Sequence, residues 1–396
     1  MKTPKSTVAA QPDLVVDKAK VGQVVLVFQG GGALGAYQAG VYQALQEAGV
    51  EPDWVIGTSI GAINAALIAG NAPETRVARL REFWLQVRHT PMTQILGAHP
   101  LWGRELTNAA TMMTGVQGFF APNPWSWLGD RAPLGAGYAS HYSTGPLEHT
   151  LSKLIDLDRM NSQAPRLTVG AAHVQSGEMR YFDSRDDHLD LRHVMASGAL
   201  PPAFPAVRID GDLYWDGGIL SNTPVEAVFD DNPRRNALVF AVHVWAPNGP
   251  EPASLRAVAA RQKDLQYASR ASSHILRQRQ IHKLRHVIAT MADMLTPEQR
   301  NATDAREMAA YGCLTQMHVV RLLAEPLKGD DHFKDIDFSP DGIRERWDAG
   351  YLDTSRVLAA HPWSRPCDPL EGFLLHEARA GEVMPDAPPL DKEAAQ

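Results

Sequence analysis

The stretch that decides how this chain is read is "VVLVFQGGGALGAYQAGVYQAL", residues Val24 to Leu45. A β-branched run suited to a buried strand passes directly into three glycines and then into a helix. Such a loop presents bare backbone N–H groups to something negative, either a cofactor's phosphate or an oxyanion formed during a reaction. Gly30, Gly32 and Gly35 fit the G-x-G-x-x-G spacing of a dinucleotide site. That site also wants an acid roughly 20 residues on, at the end of the second strand, to hold a ribose. Asp53 lies at about that distance, but it precedes the apolar run "WVIG" and so sits at the wrong end of that strand. The strand's exit holds "GTSIG" instead, and the dinucleotide reading fails there.

Gly57-Thr58-Ser59-Ile60-Gly61 matches G-x-S-x-G, the nucleophile-elbow pattern. Both glycines are needed because the turn is sharp and the flanking strand and helix leave no room for a Cβ. The serine then projects at a helix N-terminus, where the dipole favours developing negative charge. Alone, the pattern also describes a tight turn with a capping serine. Here it falls between a predicted strand, "DWVIGTS", and a predicted helix, "IGAINAALIAG", which is the context an elbow requires. A serine nucleophile further needs a base and an oxyanion hole. The amides of Gly30, Gly31 and Gly32 can supply the hole from the end of the neighbouring strand. The candidate base is Asp216 in "LYWDGGILSNTPV", where Gly217 and Gly218 permit close backbone approach. By itself that segment is an ordinary Asp-Gly turn.

The remaining chain sets limits. A net charge of −7 and a pI near 6.1 give no electrostatic case for a nucleic-acid partner. Cys313 and Cys367 lie far apart in no metal-ligand spacing, which fits a reducing, cytoplasmic setting. Residues 1–22 read as a disordered leader and 381–396 as a disordered tail. The run Val55 to Gly70 is shorter than the ~20 residues of a membrane span and reads as strand, turn and helix. A domain is expected over 23–250, whose alternation of strand and helix implies a mainly parallel sheet covered by helices. Within it, 90–145 is an irregular insertion whose Trp102, Phe119, Phe120, Trp125 and Trp127 suit an acyl-pocket wall or a lid. Residues 251–380 are expected to form a largely helical elaboration with one strand, in "LTQMHVVRLLAEP". Its long helix carries eight Lys/Arg and one acid between Arg256 and Arg285. That face suits peripheral contact with an anionic membrane or, in the preferred reading, a solvated face packed over the sheet. Ser339, followed by Pro340, should cap the last helix.

Taken in order, "QGGGALG", "GTSIG" and "WDGG" resemble the patatin-like phospholipase family. "ASGALPPAFPAV" (Ala196 to Val207) is similar to the block that precedes the family's Asp-Gly-Gly, and Asn222 and Pro224 to the segment after it. The resemblance covers roughly residues 23 to 245. It implies the three-layer α/β/α fold, a Ser-Asp dyad, and action on lipid acyl esters with no metal or other cofactor. Position by position it makes Ser59 the nucleophile, Asp216 the general base, and Gly30, Gly31 and Gly32 the oxyanion loop. One departure is Leu34, where the family often carries Arg or Lys. The rivals are a Ser-His-Asp esterase drawing on His243, His274, His282 or His286, an acyltransferase, and a lipid binder without turnover.

Overall fold

The computed structural model describes residues 16–89, 103–129, 131–364, 370–379 and 382–384. Its centre is a ten-stranded sheet. Six strands run parallel: β1 (Gln23–Phe28), β2 (Trp54–Thr58), β3 (Arg166–His173), β7 (Ala237–His243), β8 (Met317–Leu323) and β9 (Phe373–Arg379). In space they are ordered β9-β8-β7-β1-β2-β3. Four antiparallel strands complete the sheet: β4 (Met179–Asp183), β5 (Val207–Ile209), β6 (Asp212–Asp216) and β10 (Glu382–Met384).

The central parallel strands β1 and β7 are mostly apolar because each feeds two cores. Val24, Leu26 and Phe28 of β1 meet Leu238, Phe240 and Val242 of β7 on one face. Val25 and Val27 meet Val239, Ala241 and Val319 on the other. The first face is covered by α1 (Ala36–Glu47), α2 (Ile60–Ala69), α3 (Pro73–Gln86), α5 (Gly145–Leu154), α6 (Leu191–Ser197) and α9 (Pro340–Ala360). The second is covered by the short α7 (Glu226–Phe229) and the long α8 (Leu255–Asp293), through Val228, Phe229 and Ile275. Ser254 and Ser339 cap α8 and α9, accepting from the amides of Ala257 and Gly342 at 3.1 Å each. The three expected layers are present.

Several expectations are corrected. Among the described residues the region beyond 251 holds three strands, and β8 and β9 extend the central sheet in parallel from β7. Residues Lys18–Val21, placed in the leader, form a helical turn capped by Asp17, and Glu382–Met384, placed in the tail, pair with β9. Residues 1–15 and 385–396 lie outside the described residues. The insertion contains a regular helix, α4 (Gly103–Thr114), followed by paired segments at 121–122 and 142–143. Trp102 and Cys367 fall outside the described residues. Among those residues no helix is long and apolar enough to cross a membrane. The basic side chains of α8 are largely paired: Arg256 with Asp331, Lys263 with Asp335, and Arg279 and Lys283 with Glu371.

Helix α9 is bound to α1 by close backbone approach. A Cβ on Gly350 would land on the Tyr37 carbonyl, and one on Gly40 on the Trp347 carbonyl. Around that crossing, Trp347 donates to Gln43 at 2.7 Å and the Tyr37 hydroxyl to Asp353 at 2.7 Å. Overpacking of this kind costs about 1–3 kcal/mol. Gly350→Val should therefore lower the urea midpoint of the whole protein, and an unchanged midpoint would show that α9 docks more loosely than described.

Candidate active site

Two strands reach one edge of β3 from opposite directions. Parallel β2 pairs up to Thr58 opposite Gly170, and antiparallel β6 begins its pairing with Asp216 opposite Ala171. The other edge of Ala171 is taken by Arg180 of β4. Thr58, the residue before Ser59, and Asp216, distant in sequence, thus occupy adjacent rungs of one ladder.

Ser59 is held at φ 58°, ψ −126°, a left-handed conformation that a non-glycine residue keeps only under constraint. Its amide donates to the Ser197 carbonyl at 3.1 Å and to Ser197 Oγ at 3.0 Å. Ser197 Oγ in turn donates to the Gly170 carbonyl at 2.6 Å, tying the elbow to β3. At Gly57 a Cβ would strike the Gly61 carbonyl, and at Gly61 the Phe28 carbonyl. Gly217 lies equally close to the Gly170 carbonyl.

The Asp216 side chain is buried and accepts from the Gly218 amide at 2.7 Å. Burial pushes its carboxyl up to about 6, and the nearby Ser59 hydroxyl and the Gly218 amide hold it from rising further. Among the described residues no histidine lines the cavity on Ser59. His274 faces Glu226, His282 and His286 share the Thr315 carbonyl, and His243 is buried at the end of β7.

The glycine loop divides its duties unevenly. The Gly30 amide donates to the Asn222 carbonyl at 3.1 Å, while the Gly30 carbonyl accepts from Asn222 Nδ2 at 3.2 Å and Trp245 Nε1 at 2.7 Å. Gly30 is therefore a structural residue of the loop, which corrects its expected place among the oxyanion donors. The amides of Gly31 and Gly32 donate to no partner among the described residues. Gly32 has φ 56°, with the Asp335 carbonyl packed where a Cβ would stand. Beneath the loop, buried Gln29 accepts from the amides of Val244 and Trp245 at 2.7 and 3.0 Å and donates to Thr223 at 2.7 Å.

Ser59, Asp216 and Gly32 open onto a cavity of about 290 Å³. Its walls are apolar: Ile63, Phe119, Phe120, Leu147 and Phe204 contribute, the phenylalanines in edge or tilted contact. Phe119 and Phe120 thus stand where a pocket wall was expected, whereas Trp125 and Trp127 are 55% and 88% exposed and do not line it. A larger cleft of about 480 Å³ between α1, α3 and α9 contains none of these groups. Among the described residues no cluster of three or more His, Cys, Asp or Glu side chains is arranged to hold a metal. Sequence reading missed Ser197, Gln29, Trp245, Lys263 and Asp335. Ser197 lies inside the quoted block "ASGALPPAFPAV", and Gln29 is a polar residue at a strand exit, but Lys263 and Asp335 carry no local signal.

A serine on a strained elbow thus stands beside a buried carboxylate and a glycine loop at the mouth of an apolar cavity. Residues 26–229 match the model of the patatin-like phospholipase family, and residues 265–370 match a second model described as patatin phospholipase. The chain belongs to the patatin-like phospholipase family. It is 41% identical over 212 residues to uncharacterized NTE family proteins of Mycobacterium tuberculosis and Mycobacterium bovis, covering 52% of this chain and 28% of each of theirs. Over 49 residues it is 57% identical to lysophospholipase nte1 of Aspergillus terreus, covering 12% of this chain and 3% of that protein. The match thus spans less than a third of the length of these curated relatives. Two solved structures align at low similarity. VipD from Legionella pneumophila has 16% identity and a TM-score of 0.37 over 86% of this chain and 67% of that one. ExoU of Pseudomonas aeruginosa, in complex with SpcU, has 17% identity and a TM-score of 0.25 over 88% and 75%. Both scores are too low to bear on fold or function.

The raised carboxyl has a consequence for stability. Between the ordinary 3.8 and about 6, the folded protein binds the Asp216 proton more tightly than the unfolded chain does. Stability contributed by this group is therefore lost as pH rises through that window, by about 3 kcal/mol in all. Asp216→Asn, which does not titrate, should gain on wild type by about that amount in urea unfolding between pH 4 and 7. Parallel pH dependence of the two proteins would contradict the raised value.

Proposed function

We propose that the chain is a lipid acyl hydrolase that cleaves carboxylic esters through Ser59 and Asp216 without a histidine. The observation that carries this reading is a carboxylate, buried and raised toward neutrality, that shares with the Ser59 side chain the polar end of an apolar cavity. A base near 6 is ionised at neutral pH yet basic enough to draw a proton from a serine in the transition state.

In this cycle Asp216 takes the Ser59 proton as Oγ attacks the ester carbonyl. The tetrahedral oxyanion forms against the amides of Gly31 and Gly32 and the N-terminus of α2. Its collapse expels the alcohol, which leaves with the proton held on Asp216. Water then gives a proton to Asp216 and attacks the acyl-enzyme. Collapse of the second oxyanion releases the carboxylic acid and returns the proton to Ser59. The acyl chain lies among Phe119, Phe120, Phe204 and Leu147, which exclude water from it. Exposed Trp125, Trp127 and Leu128 on the turn over 124–128 support peripheral contact with a lipid–water interface. The sparse cysteines fit a cytoplasmic setting for that contact.

The test is turnover of p-nitrophenyl esters of graded chain length by wild type, Ser59→Ala and Asp216→Asn. Both variants should lose about 10³-fold or more in kcat/KM while remaining folded. Wild-type kcat/KM should rise with pH to a plateau, with an apparent pKa near 6, as Asp216 ionises. Loss in Ser59→Ala with activity retained in Asp216→Asn would make a histidine the base. Failure of a fluorophosphonate to label wild type would reduce the protein to a binder.

A further inference from the structure

The cavity on Ser59 is apolar except at one end. Among its lining residues charge is carried only by Asp216, Asp335 and Lys263. Lys263 comes from α8, four residues before Tyr267 and so on the same helix face. The Tyr267 ring stacks on Trp245 with centroids 4.9 Å apart, and its carbonyl accepts from Gln29 at 3.3 Å, which seats this face of α8 on the base of the glycine loop. Two adjacent ion pairs then clamp the turn Lys334–Ile336: Asp264 with Lys334 at 2.5 Å, and Lys263 with Asp335 at 2.6 Å. The carbonyl of Asp335 is the group packed against Gly32. The Lys263 ammonium is thereby fixed at the oxyanion-loop end of the cavity.

An ammonium has three N–H donors. One goes to Asp335 Oδ1 at 2.6 Å and one to the His332 carbonyl at 3.0 Å, leaving a third without an acceptor among the described residues. The side chain is 29% exposed and lines the cavity, so that donor is accessible to a bound molecule. The opposite wall is aromatic and aliphatic, fit for an acyl chain, which leaves the charged end to the alcohol half of an ester.

We propose that Lys263 is a specificity-determining residue that binds an anionic oxygen on the alcohol side of the scissile ester, a phosphate on a glycerol ester. Esters carrying that phosphate are then preferred over neutral esters of the same acyl chain. Asp335, beside it, accepts a glycerol hydroxyl. The inference rests on the hydrolase reading above for its account of which half of the ester lies where.

A matched pair of substrates isolates the phosphate: a lysophosphatidate and the monoacylglycerol of the same acyl chain. For wild type, the ratio of kcat/KM values should favour the lysophosphatidate. In Lys263→Met that ratio should fall by about 10- to 100-fold, the scale of a lost hydrogen bond to a charged group, and Lys263→Arg should recover part of it. A loss shared equally by both substrates would make Lys263 a clamp for the Lys334–Ile336 turn and nothing more, and would overturn the proposal. Calorimetric binding of the same two molecules to Ser59→Ala and to Ser59→Ala/Lys263→Met needs no turnover. Ser59→Ala should bind the lysophosphatidate about 10-fold or more tightly than the monoacylglycerol, a preference absent from the double variant. Equal binding by Ser59→Ala overturns the proposal. A preference that persists in a wild type without turnover would count against the hydrolase reading alone.

Discussion

The site depends on a single edge of β3. Two strands of opposite direction end on it at Gly170 and Ala171, one rung apart; β2 leads directly into Ser59, and β6 ends on Asp216. A strand advances only about 3.3 Å per residue, so the ladder itself sets the spacing of Ser59 and Asp216. No loop has to find the geometry. The supporting residues follow from that edge. Gly217 must be bare because the Gly170 carbonyl stands beside it, and Ser197 uses its hydroxyl to bind that carbonyl while its own carbonyl holds the Ser59 amide.

Two features of this arrangement cost free energy: the Ser59 backbone, at about 1–3 kcal/mol, and the buried carboxylate of Asp216. What offsets them is a dry polar scaffold on both sides of the glycine loop. Gln29 bonds to Thr223, Val244 and Trp245. Gln38 donates to the Gln29 carbonyl at 2.6 Å, and Asn64 of α2 accepts from Trp84 at 3.2 Å and donates to Gln38 at 2.9 Å. A fully satisfied network of this kind is rigid, because any shift leaves a buried polar group without its partner. The loop, the elbow and the first two helices move together or not at all.

How much of this was legible in the sequence depends on how local each signal is. The strand–glycine–helix run and the elbow are written in consecutive residues, and both were readable. Asp216 was readable only through its company, since an Asp-Gly-Gly turn alone is ordinary. Gly30, Gly31 and Gly32 look alike in sequence, yet an acceptor on Asn222, far along the chain, takes one of the three amides. Strand β9 was missed because His376 and Glu377 break its apolar run. In the sheet, the His376 ring stacks on His318 of β8, with centroids 5.5 Å apart, a contact that exists only after pairing. Helix α4 was missed because its threonines and its opening glycine are weak helix formers. It is held in part by Thr111, whose hydroxyl donates to the Thr107 carbonyl at 2.8 Å.

The turn over Lys334–Ile336, packed on Gly32, also bears on the order in which the molecule is made. Ser59 and Asp216 leave the ribosome long before this turn does. Until it and α8 emerge, the glycine loop has no outer wall, and β7, wholly buried in the finished sheet, has no β8 beside it. An unpartnered apolar strand of that kind is an aggregation edge rather than a working half-protein. The site is therefore complete only after α8 and this turn have emerged, so a nascent chain that already carries Ser59 and Asp216 does not yet hold them in a closed site.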